Sequence, residues 1–132
     1  MMEQELKIEL GLPLERLEDI FVGALEGGSN YWYWMDEDAV TAIRSAVPKS
    51  EDPYLSTATF KAVMRGVSVP IRDYENQHEV LGHISMDTMP ARLAKCGKES
   101  PHLIMEVLNE NDDASTADAI FQYLTMGEII FG

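Results

Sequence analysis

Apolar positions recur along the chain with helical spacing in six places. From Pro13 to Leu25, Leu14, Leu17, Ile20, Phe21, Ala24 and Leu25 fall on one face, and Glu15, Arg16, Glu18 and Asp19 on the other, which predicts an amphipathic helix. Pro13 suits its first turn, and Gly27-Gly28 ends it. Asp36 is placed to cap a second helix carrying Val40, Ile43 and Val47, stopped by Pro48. Ser56 starts a third through Phe60, Val63 and Met64, ended by Gly66. A fourth begins at Ser85 or Asp87 and runs to about Gly97. Ser100-Pro101 opens a fifth with Ile104, Val107 and Leu108. A cap at Asp113 or Ser115 opens a sixth, whose Ile120, Phe121 and Leu124 face inward and whose first turn holds Asp118, favoured by the helix dipole.

The period changes to two in three places. Val67, Val69 and Ile71 alternate with polar residues, and Pro70 marks an edge strand. A polar turn from Asp73 to Glu79 leads back into Val80–Ile84, completing a hairpin. The run Tyr31-Trp32-Tyr33-Trp34 predicts a short strand with the tyrosines on one face and the tryptophans on the other. The expected class is α+β, mostly helical, with about six helices and a small antiparallel hairpin or sheet. The chain has 132 residues, a length that fits one globular domain spanning 1–132.

Charge excludes more than it assigns. With 23 acidic and 10 basic residues the formal charge is −13. No two basic residues are adjacent, so there is no patch to displace counterions from phosphates, and direct nucleic-acid binding is not expected. An acidic surface of this strength could instead compete with nucleic acid for a basic partner. No apolar run reaches the length of a membrane span. The opening Met1-Met2-Glu3-Gln4-Glu5 is acidic, unlike a secretory signal. Cys96 is the sole cysteine and has no internal partner. These features together lead to the expectation of a cytoplasmic protein.

Catalytic and metal patterns do not assemble. His78 and His83 are five apart, whereas two zinc ligands on one helical face need four. Cys96 lies near a predicted helix C-terminus, where the dipole disfavours a thiolate. Asp36-Glu37-Asp38 and Glu110-Asn111-Asp112-Asp113 lack calcium-loop spacing and sit where helix starts attract carboxylates. Gly27-Gly28 follows a helix instead of preceding one, so it does not cradle phosphate. No cofactor or metal site and no catalytic residues are assigned.

The densest unusual stretch is Glu26-Gly27-Gly28-Ser29-Asn30-Tyr31-Trp32-Tyr33-Trp34. Its rings could stack on a planar ligand with Glu26 or Asn30 reading an edge, or anchor a protein interface. The plain structural reading is a helix cap followed by a core strand; one Trp inside and a Tyr at the surface would fit both.

The segment Glu26-Gly27-Gly28-Ser29-Asn30-Tyr31-Trp32, followed by Asp112-Asp113-Ala114-Ser115-Thr116-Ala117-Asp118 and the ending Gly127-Glu128-Ile129-Ile130-Phe131-Gly132, resembles a set of small uncharacterised bacteriophage and prophage proteins. These segments bracket most of the chain, from about Asp19 to Gly132, whereas Pro48 to Ser100 carries no matching motif. The resemblance implies a viral origin and action in the cytoplasm of an infected bacterium. It groups Glu26, Asn30, Trp32, Asp113, Thr116 and Asp118 as one possible site, to which the aromatic segment adds Tyr31. The leading expectation is a non-enzymatic accessory protein that binds and inhibits a host protein or defence complex. One alternative is a binder that sequesters a small molecule such as a nucleotide signal, for which an oligomer could build the pocket at a subunit boundary. Another is an enzyme with a carboxylate site at Glu26, Asp113 and Asp118.

Overall fold

A computed structural model describes residues 11–132. The acidic opening stretch, read as unlike a secretory signal, lies outside the described residues. Six α-helices and three strands follow in the order α1 (Leu14–Gly23), β1 (Tyr33–Trp34), α2 (Glu37–Ala46), α3 (Leu55–Met64), β2 (Val69–Asp73), β3 (Val80–Ile84), α4 (Met89–Glu99), α5 (Pro101–Leu108) and α6 (Ala114–Met126). A π-helical turn, Ala24–Gly28, continues α1. The class is α+β with helix dominant. No helix among the described residues is long and apolar enough to cross a membrane.

The core is organised around α6. Thr116, Ala117, Asp118 and every residue from Ile120 to Thr125 are buried, because α1, the π turn, α4, α5 and β3 all pack against this helix. Phe121 meets Phe21 edge-on at 5.8 Å between ring centroids and lies 5.9 Å from Trp32, while Phe21 meets Phe60 at 5.3 Å. Asp113 caps α6, accepting from the Thr116 N–H at 2.9 Å, and Gly127, with φ +80°, ends it. The Arg92 guanidinium and the Lys95 ammonium bond the carbonyls of Leu124, Thr125 and Gly127 at its negative end.

Two glycines let neighbouring backbones approach α6. A Cβ on Gly28 would stand 2.3 Å from the Ala114 carbonyl oxygen, and one on Gly82 would stand 2.1 Å from that of Thr125. Both gaps are far below contact distance, so the π turn and β3 seat against α6 only because these positions have no side chain.

The sheet is antiparallel in the order β1-β2-β3. Pro70 therefore lies in the central strand, not in the edge strand that it predicts. The register explains how it is tolerated: β1 pairs only with Arg72 and Asp73, so among the described residues the one strand beside Pro70 is β3, through His83. A bulge between Ile71 and Arg72 shifts the pairing from Gly82 to Val80.

Several local expectations are corrected. The aromatic strand is only Tyr33–Trp34, because Trp32 and Tyr33 both donate their N–H groups to the Ser29 carbonyl and hold the preceding residues in a turn. Strict alternation therefore fails, and Trp32 is buried while Trp34 is exposed. Helix α3 starts at Leu55, and its entry is organised by Asp52, which accepts from the Tyr54 N–H, the Thr57 hydroxyl and the Lys61 ammonium. Helix α4 begins at Met89 and runs past Gly97 to Glu99. Ser100 occupies the cap position of α5 but makes no side-chain cap; its hydroxyl meets that of Tyr123 at 3.1 Å.

Candidate functional site

Two short blocks near opposite ends of the chain meet at Asp118. This residue sits one turn into α6, is 8% exposed, and points towards the turn after the π helix. Its Oδ1 accepts from the Ser29 hydroxyl and the Trp32 indole N–H, both at 2.7 Å. Its Oδ2 accepts from the Tyr31 hydroxyl at 2.6 Å and the Gln122 amide at 3.3 Å. Four donors converge on one carboxylate, which offsets the cost of burying its charge. The Tyr31 ring is half exposed but its hydroxyl faces inward. Desolvation, joined by the hydrogen bond to Asp118 and its charge, pushes that phenol up to about 12.

Gln122 extends this network to the C-terminus. Its Oε1 accepts from the N–H groups of Ile130 and Phe131 at 2.9 and 2.8 Å, and its amide donates to the Phe131 carbonyl at 3.0 Å. The Phe131 ring then stacks on Trp32, with centroids 5.4 Å apart and planes 10° from parallel. Asp118 and Gln122 are four residues apart on one helical face, so α6 grips both the aromatic turn and the tail.

The residues singled out from the sequence thus divide. Tyr31, Trp32 and Asp118 form one hydrogen-bonded set. Asp113 and Thr116 belong to the start of α6, where the Thr116 hydroxyl bonds Glu106 and Asp113. Glu26 is exposed and accepts from the Ser56 hydroxyl, and Asn30 is exposed beside a surface hollow. Glu26, Asp113 and Asp118 share no hydrogen-bond partner. Among the described residues no three His, Cys, Asp or Glu side chains converge as a metal site requires. Cys96 is buried, and desolvation, with the charge of Glu99 added, pushes its thiol up to about 12, the opposite of an activated nucleophile.

The surface beyond this network is concave. A hollow of about 420 Å³ is lined by Asn30, Tyr33, Trp34, Met35, Val40, Leu55 and Tyr74. A second of about 260 Å³, sharing Tyr33, Met35 and Leu55, adds Leu25, Glu26, Pro53, Tyr54 and Ser56. The two form one aromatic groove between β1, the hairpin tip and the entry to α3. Trp34, Tyr54 and Tyr74 are 37%, 69% and 50% exposed, and Trp34 meets Tyr74 edge-on at 6.3 Å. Tyr33 is fixed beneath them by its hydroxyl bond to the Leu25 carbonyl at 2.6 Å.

Sequence reasoning missed Tyr54 and Tyr74 as groove residues. Tyr54 directly follows the polar connector Lys49–Pro53 and Tyr74 is the lone aromatic of the polar turn Asp73–Glu79, and that placement was the available signal. Gln122 gave none, because a glutamine in a helix ordinarily faces water. Compared with family models, with curated proteins and with solved structures, the chain gives no match.

Proposed function

We propose that the protein is a non-enzymatic acidic accessory protein that binds a host protein through the aromatic groove and inhibits it. The observation that carries this reading is the trio of exposed rings, Trp34, Tyr54 and Tyr74, around two adjoining hollows. Exposed Trp and Tyr are enriched among the residues that dominate interface energetics. The four-donor network at Asp118 lies under the turn that leads into β1, so the chain carrying Trp34 is anchored before a partner arrives, which lowers the entropy lost on binding. The resemblance of the sequence blocks to phage proteins supports a partner in a bacterial host, with a nucleic-acid-binding defence complex as the favoured kind of target. The charge of −13 supports such a partner, since its basic surface would be attracted.

The experiment is capture of partners from bacterial lysate with the tagged full chain, alongside Trp34→Ala and Tyr74→Ala. The wild type is expected to retain a partner that both variants lose. Removing an interface anchor costs about 2 kcal/mol or more, roughly a 30-fold loss of affinity. Equal capture by variants whose circular dichroism is unchanged, or no capture at all, would overturn the proposal.

A second reading is sequestration of a small molecule, favoured by the 420 Å³ hollow, which falls within the range of ligand sites. Among the described residues the lining contains no Lys or Arg to hold a phosphate, which weighs against a nucleotide. A thermal-shift screen with nucleotides decides it, because a ligand bound only by the folded chain must raise the melting temperature.

A further inference from the structure

Resting on the binding role of the groove, we infer that its smaller hollow is a cation pocket that receives a lysine or arginine side chain from a basic segment of the partner. Three observations converge on this occupant. The lining includes one carboxylate, Glu26, together with the rings of Tyr33 and Tyr54, and a cation is drawn both to a carboxylate and to the faces of aromatic rings. Among the described residues Glu26 is engaged through one oxygen, Oε2, by the Ser56 hydroxyl, leaving Oε1 for an incoming N–H donor. The Glu26 charge is close enough to Tyr33 to add to the desolvation that raises its phenol.

The cations on the surrounding elements are already committed. Arg44 donates to the carbonyls of Asp52 and Pro53, at 2.6 and 3.1 Å. Lys61 pairs with Asp52 at 3.0 Å, and Arg65 with Glu51. Arg72 places its Nε 3.1 Å from Asp36, an ion pair without hydrogen-bond alignment, and bonds the Gln77 and His78 carbonyls. Lys49, an exposed connector residue, lines neither hollow. Further acids lie close in sequence to the lining: Glu37, three residues before Val40, and Asp73 and Glu75, the chain neighbours of Tyr74. The hollow of about 260 Å³ has room for an ammonium or guanidinium with part of its stem. An acidic ligand would meet repulsion there, and a purely apolar one would bury the Glu26 charge with the Ser56 hydroxyl as its one donor among the described residues.

The test is binding of a fluorescent octa-arginine amide, with octa-citrulline amide as the uncharged isostere, to the full chain. Wild type is compared with Glu26→Gln, Tyr54→Ala and, as a control for general attraction, Asp87→Asn. Asp87 follows β3, at the end of the hairpin remote from Tyr74. Octa-arginine is expected to bind and octa-citrulline not. Glu26→Gln and Tyr54→Ala should each weaken binding at least fivefold, and Asp87→Asn less than twofold. Loss of Glu26 should also flatten the dependence of affinity on salt. If Glu26→Gln and Asp87→Asn behave alike, the attraction is only that of an acidic chain and the cation pocket is refuted; it is equally refuted if wild type binds no octa-arginine. Should that happen while lysate capture still depends on Trp34, the groove reading survives alone. Capture indifferent to Trp34 and Tyr74 removes the groove itself.

Discussion

Replacing Asp118 with alanine removes the acceptor on which the aromatic turn depends. Ser29 and Trp32 are 0% and 2% exposed, so the Ser29 hydroxyl and the Trp32 indole N–H are left as buried donors without a partner. Each such orphan costs about 1–3 kcal/mol. The Tyr31 hydroxyl, on a half-exposed ring, can turn to water, and Gln122 keeps its bonds to the tail. Removing a buried carboxylate recovers part of its desolvation cost. The balance is a loss of about 2–4 kcal/mol, a large share of the roughly 5–15 kcal/mol that holds a domain folded. Asp118→Asn should cost less, about 1–2 kcal/mol. Its carbonyl can still accept from Ser29 and Trp32. Its amide then faces the Gln122 amide, and Gln122 cannot flip without abandoning the Ile130 and Phe131 N–H groups. Urea unfolding followed by tryptophan fluorescence and far-ultraviolet circular dichroism measures both variants. At about 3–5 °C per kcal/mol for a chain of this size, the alanine variant should melt roughly 6–20 °C lower. A loss below about 0.5 kcal/mol for alanine, outside the range for two stranded donors, would refute the anchoring role of Asp118. So would an asparagine variant less stable than the alanine one.

Three further outcomes follow from the structure. The Tyr31 phenol is raised from 10.0 to about 12 in the folded chain, so its contribution to stability is fully present below pH 10 and is lost as pH rises towards 12; Tyr31→Phe should flatten that alkaline limb of a urea-midpoint titration. At the acid end, burial pushes the Asp52 carboxyl up, but bonds from Thr57, Lys61 and the Tyr54 N–H outweigh it and hold it below its ordinary range. Its stability is therefore present above that range and lost as pH falls through the lowered value, and Asp52→Asn should make the acid limb shallower. Gln122→Ala should release the tail at a cost of about 1–2 kcal/mol and speed amide exchange at Ile130 and Phe131 at least tenfold; unchanged exchange there would contradict the clamp.

The sequence alone determined the helical framework, because a one-sided apolar stripe and a terminal glycine or proline are local signals. Leu17, Ile20 and Phe21 in α1, Ile43 in α2 and Ile120, Phe121 and Leu124 in α6 are buried as their spacing predicts. The hairpin was also legible, since β3 covers Val80–Ile84 and the turn lies between Asp73 and Glu79. The place of Pro70 was not, because strand order depends on which distant segment arrives, and β1 comes from 36 or more residues earlier. The roles of Asp118 and Gln122 were equally hidden. In sequence they look like a first-turn carboxylate and a solvent-facing amide; packing on nearly every side of α6 turned both inward. The aromatic run announced a special segment, but only the Ser29 turn decided that Trp32 stacks inside on Phe131 while Trp34 stands outside beside Tyr74. The groove is the most tertiary feature of all, since its lining comes from the aromatic segment, α2, the α3 entry and the hairpin tip, stretches whose local chemistry says nothing of their meeting.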